Sequence, residues 1–246
     1  MGPARHAGWA AACLTALLAA LLATAAHANP PEGKLYSLGA FDRVEVSGSA
    51  VIRYTQGPRD EVFVEGDDEA QKAVALDLHN GQLSIRPTGA WKFWSSRRAQ
   101  VTITSAELTR LSLSGAADWL ALEPVTAKRL SVSISGAGLA RFDQLKAEAL
   151  SFNVSGAGDG QVSGTVDELS ISISGKSNFR GENLQSQRTR VVVSGIGDVK
   201  VWALQELAVT VSGVGTVDYW GPAQVSRRTS GIARINDRGA KPARGP

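Results

Sequence analysis

Cysteine is nearly missing. The chain of 246 residues has one cysteine, Cys13, and one methionine, and aromatics make up only 6% of it. Without a cysteine pair no disulfide can staple the fold, so a packed core and backbone ladders must hold it. So few aromatics and a single Met, beside 26 glycines, suit a chain that turns often and suit a helical bundle poorly. Charge of one sign is not in excess: 26 basic against 23 acidic residues leave +3, too little to demand nucleic acid or an anionic membrane. Apolar residues reach 43%, enough for a full core at this length, which excludes a solvated tail or a collagen-like fibre. An all-β fold is the first expectation.

Long hydrophobic runs are confined to the start. Arg5 and His6 precede an Ala/Leu stretch from Ala10 to Ala26, and Ala26-His27-Ala28 has the small-residue spacing of a cleavage site before Asn29. Residues 1–28 are expected to be a cleaved secretory signal that takes Cys13 with it. The product is then exported to the periplasm, cell surface or medium of a bacterium, with 29–40 as a linker.

What the sequence has in abundance is repetition. Ser-Gly recurs at Gly115, Gly136, Gly156, Gly175, Gly195, Gly213 and Gly231, at intervals of 18 to 21 residues. Apolar residues stand six, four and two positions before most of these glycines, as in Leu130/Val132/Ile134, Leu150/Phe152/Val154, Leu169/Ile171/Ile173 and Leu207/Val209/Val211. That is the period of a strand with one face inward. A unit this short cannot bury its own core, whereas stacked copies bury one continuously. The reading is a parallel β-helix or β-solenoid of about seven rungs over 109–236. A β-sandwich also has short strands, but it does not require the same corner at a nearly fixed interval. The register expects Val132, Phe152, Ile171, Val191 and Val209 in one inward column, with Ser133, Asn153, Ser172, Val192 and Thr210 outside. Val225/Arg227/Thr229 breaks the apolar pattern and suits a terminal cap.

Residues 41–108 repeat less clearly, and an antiparallel strand region that caps or extends the solenoid is expected there. Its strands fall at Val51 to Tyr54, Glu61 to Val64, Val74 to Leu78, Leu83 to Arg86 and Val101 to Thr104, with a hairpin at His79-Asn80-Gly81. Asp67 to Val74 reads as one helical turn over that end. Residues 237–246 read as a disordered basic tail.

The repeated Leu-x-Val-x-Val-Ser-Gly-x-Gly unit, together with the opening Phe41-Asp42-Arg43-Val44-Glu45-Val46-Ser47-Gly48, resembles the head GIN domain family of putative auto-transporter adhesins over roughly 38 to 236. The resemblance implies a β-solenoid-like fold at the cell envelope and an adhesive role. It carries over no catalytic residues.

Candidate sites are few. Past the signal the only histidine is His79, in a turn, and none of the serines before glycine lies in a Gly-x-Ser-x-Gly elbow. Asp118, Asp159 and Asp198 share the third position after their glycines, the one arrangement that could serve a carbohydrate-active lyase or hydrolase. Turn capping is the plainer reading of such a broken column. The close Gly-Gly-x-Gly-x-Asp repeat of a calcium ladder is absent, so no metal or other cofactor is expected. The densest aromatic and basic cluster is Trp91, Phe93, Trp94, Arg97 and Arg98, which is either a partner surface or an end cap. Ser131/Ser133/Ser135 and Ser170/Ser172/Ser174 could stack as hydroxyl ladders that organise water or sugar hydroxyls. The function expected is a non-enzymatic envelope module for adhesion or binding. Its partner is an envelope glycan, a lipid headgroup or a protein rather than nucleic acid, with self-association through the solenoid ends as a further possibility.

Overall fold

A computed structural model of the chain describes residues 32–88 and 98–241. The repeat region is five long strands, β9 (Asp118–Ile134), β10 (Leu139–Val154), β11 (Asp159–Ile173), β12 (Lys176–Val193) and β13 (Ile196–Val211). They are stacked in parallel and in chain order. Each strand bends where its register slips, so one strand runs over successive faces of a parallel β-solenoid. The stack makes about six turns.

Close approach is what fixes the period. A Cβ added at Gly136 would lie 2.0 Å from the carbonyl oxygen of Gly115, and one at Gly175 would lie 1.8 Å from that of Gly156. Each corner thus sits directly on the backbone of the corner below, and only glycine fits. The ladder runs through unbroken, with Ala137 N–H donating to Gly115 O at 3.0 Å and Ala157 N–H to Gly136 O at 2.9 Å.

The inward column is as the period required. Val132, Phe152, Ile171, Val191 and Val209 are in register on consecutive parallel strands, and all are buried. Ser133, Asn153, Ser172, Val192 and Thr210 alternate outward and are only half-buried. Where the apolar pattern lapses, at Thr189, its buried hydroxyl pairs with that of Ser186, which also donates to Trp202 O at 2.9 Å. Larger rings fill the rest, with Tyr54 stacked on Trp119 at 4.9 Å and Phe152 edge-on to Phe179 at 5.0 Å.

The N-terminal region joins the stack in an order different from its sequence. β2 (Arg43–Val46) and β3 (Ala50–Gln56) flank Gly48 and form a turn beneath β8 (Arg110–Leu113) and the first part of β9. β6 (Gln82–Pro87) and β7 (Ala99–Ser105) come later in the chain yet pair in parallel on the outer side of β2 and β3. Beyond them the pairing is antiparallel, as expected for β4 (Glu61–Glu65) on β7 and β5 (Val74–His79) on β6; β1 (Gly33–Tyr36) also pairs, on β4, where a linker was expected over 29–40. The β5–β6 hairpin turns at Asn80 (φ 49°) and Gly81 (φ 75°), the two positive angles a tight two-residue turn needs. The single helical turn is also present: α1 (Asp68–Ala73) is capped by Asp67, which accepts from Glu69 N and Ala70 N, and Ala70 and Ala73 are buried.

At the other end β14 (Val214–Trp220) and β15 (Gln224–Thr229) lie on β13, and β16 (Ile232–Asp237) lies on β14. The tail expectation needs correction over 237–241. Asp237 closes β16, Arg238 pairs with Asp218 at 3.0 Å, Gly221 N–H donates to Gly239 O at 3.0 Å, and the Lys241 ammonium lies 4.6 Å from the Trp220 ring centre. These contacts give the basic residues partners that a reading of composition could not see.

Candidate functional site

The alternation that sends aliphatic side chains inward sends the intervening ones to a common outer face. Five positions before successive glycines stand Arg110, Ser131, Ser151, Ser170 and Arg190, in register across five strands. Arginines therefore bracket a floor of three serines, four rung steps apart, or roughly 19 Å. Two residues earlier a second column runs Arg129, Ala149, Glu168, Arg188 and Glu206. Short side chains in the middle rungs and long ones around them leave a groove of about 880 Å³ that crosses the rungs. Its lining has six basic and four acidic side chains, and Arg188 donates to Glu168 at 2.7 Å within it. Such a surface can offer hydroxyls and backbone along its floor and charge-assisted hydrogen bonds along its rim.

The serine ladders stack as the spacing required. Ser133, Asn153 and Ser172 are in register beside the groove floor. Ser135, Ser155 and Ser174 follow at the corner, where Ser155 N–H donates to Ile134 O and Ser174 N–H to Val154 O, both at 2.9 Å.

Two of the three corner aspartates bond backbone amides of the next rung. Asp118 accepts from Leu139 N at 3.2 Å, and Asp159 accepts from Asn178 N at 2.8 Å and Asn178 Nδ2 at 3.1 Å. Leu139 separates Asp118 from Asp159 in the register, and both line a hollow of about 330 Å³ that Asp198 does not reach. His79 is exposed in its hairpin, its ring nitrogen 3.0 Å from Asn80 Nδ2. Among the described residues no group of three or more His, Cys, Asp or Glu is placed to hold a metal ion. Nor is any helix there long and apolar enough to cross a membrane.

Of the aromatic and basic cluster, Trp91, Phe93, Trp94 and Arg97 lie outside the described residues. Arg98 is described, and its guanidinium bonds the Asp118 carboxylate and the Ala116 carbonyl, tying β7 to the neighbouring corner. Sequence reasoning did not single out the groove. Its signal was there: arginine at the same offset from Gly115 and Gly195, with serine at that offset in the three rungs between.

The solved structures this fold resembles include a putative adhesin from Bacteroides fragilis, with a TM-score of 0.77 at 22% identity over 84% of this chain and 96% of that one. A putative adhesin from Parabacteroides distasonis has a TM-score of 0.67 at 19% identity over 84% and 96%. A putative lipid binding protein from the same species has 0.61 at 19% identity over 85% and 98%. At these identities the likeness is one of fold. No curated protein matches the chain. The family described as "Putative auto-transporter adhesin, head GIN domain" matches residues 40–223. The chain belongs to that family.

Proposed function

We propose that this is an exported, non-enzymatic binding module of the cell envelope whose groove holds an extended glycan chain. The observation that carries the reading is the in-register floor of Ser131, Ser151 and Ser170 between Arg110 and Arg190. A repeating row of hydroxyls bounded by arginines matches a polymer whose own hydroxyls and acidic groups repeat. The family description and the putative adhesins of like fold support a binding role. The non-enzymatic part is supported by the aspartates at the corners, whose oxygens accept from backbone amides.

The test is to titrate the protein with a panel of envelope polysaccharides and, in parallel, with liposomes of neutral and anionic headgroups. Polysaccharide binding should weaken roughly tenfold or more in an Arg110→Ala, Arg190→Ala double variant and in Ser151→Trp, which fills the floor, with melting temperatures unchanged. Binding to liposomes alone, or polysaccharide binding indifferent to these variants, defeats the groove assignment. Depolymerisation of a bound polysaccharide that is lost in Asp159→Asn would replace the module with an enzyme.

A further inference from the structure

We infer that copies of this chain stack head to tail, the β15/β16 end of one against the α1 end of the next. The two ends differ in sign. Residues 60–79, which include β4, α1 and β5, carry seven acidic side chains and one lysine. Residues 224–241, which include β15 and β16, carry five basic side chains and one acid. In the first turn of α1, Asp68 and Glu69 are exposed. Arg227 and Arg228 are exposed on β15 at the opposite end.

Each end also offers matching backbone. Among the described residues β5 pairs only with β6, β1 only with β4, β15 only with β13 and β16 only with β14. Among the described residues, then, each of the two sheet paths ends at both ends of the stack in a strand with one open edge. Val225, Ala233 and Ile235 rest on the core below and are only partly buried, as are Val74, Leu76 and Leu78 at the α1 end. Apolar surface is thus left over where a next rung would sit.

Charges on edge strands commonly guard against unwanted pairing. That guard works when any approaching edge meets its own sign. Here it repels like ends and attracts unlike ones, so it selects polarity. A contact between different ends of identical molecules does not close on itself, and the product is an open filament in which both sheets continue from copy to copy.

Sedimentation velocity over a concentration series tests this. The weight-average coefficient of the protein should rise with concentration at low salt and fall back toward the monomer value at high salt. Arg227→Glu with Arg228→Glu leaves three basic and three acidic side chains at the β15/β16 end, a net charge of zero, and Asp68→Lys with Glu69→Lys cuts the net charge of residues 60–79 from −6 to −2. Each variant alone should associate more weakly than the parent, while an equimolar mixture should regain association, because the unaltered β15/β16 end of one meets the unaltered α1 end of the other. Three results would overturn the proposal: a monomer at every concentration and salt, a species that stops at twice the monomer mass, or variants that associate alone as the parent does. Variants folded by circular dichroism whose mixture stays monomeric would equally overturn it.

Discussion

At the residue scale, the glycine corners set the geometry of everything above them. Gly175 has the carbonyl oxygen of Gly156 where a Cβ would be, and that atom belongs to a hydrogen-bonded backbone that cannot swing aside. Gly175→Ala should destabilise the protein by about 3 kcal/mol or more, read as a shift in the denaturation midpoint, since the clash pushes two rungs apart. Ala at Gly239, where no atom lies within 4 Å, should cost much less, the positive φ of 74° being its only strain. Asp218 is the residue through which pH acts on the far end. Burial pushes its carboxyl up, but hydrogen bonds from Arg238 and Asn236 outweigh that and hold it below its ordinary 3.8. A depressed folded value means the stabilisation is fully present above pH 3.8 and is lost as pH falls through the lower folded value. Amide exchange of β16 should therefore quicken selectively in acid below about pH 4, and Asp218→Asn should show the faster exchange already at neutral pH. Exchange in Asp218→Asn that matches the parent at neutral pH would discount that ion pair.

Element by element, the two faces of a strand answer to different rules. Phe152 is fully buried between Val132 and Ile171 in the register and meets Phe179 edge-on. Phe152→Ala should cost about 3–5 kcal/mol through lost contacts and a cavity, whereas Asn153→Ser on the opposite face should stay within about 0.5 kcal/mol. Equal losses would contradict the inside–outside alternation. This alternation explains which elements could be read from sequence. β9 to β13 were legible because glycine, forced by close approach, marks every turn and aliphatics keep a period of two between the marks. The stacking of β6 and β7 beneath β2 and β3 was not, since the link from Pro87 to Ala99 has no Ser-Gly corner to give its phase. The groove was half legible. Its serines stood out as a ladder, but the arginines closing it lie in rungs whose Ser-Gly marks had been read only for the core.

For the whole molecule the useful contrast is between its two ends. One carries a capped helical turn with two buried alanines, and the other ends in strands whose side chains are largely exposed. Unfolding should begin at the exposed end. Native-state hydrogen exchange should show protection lowest in β15 and β16 and highest in β10 to β12, which have a rung on either side. Uniform protection from β8 to β16 would instead mean that the stack opens as one unit.

The displaced order of β6 and β7 governs timing. β2 and β3, the earliest strands of the stack, are covered on one side by a segment that follows about 40 residues later and on the other by β8 and β9. A chain emerging N-terminus first cannot finish its opening rung until residues near 120 have arrived, so the template for every later rung is itself completed from downstream. The head of this fold is laid down late, and a chain halted near residue 90 would hold its first strands with neither neighbour rung complete.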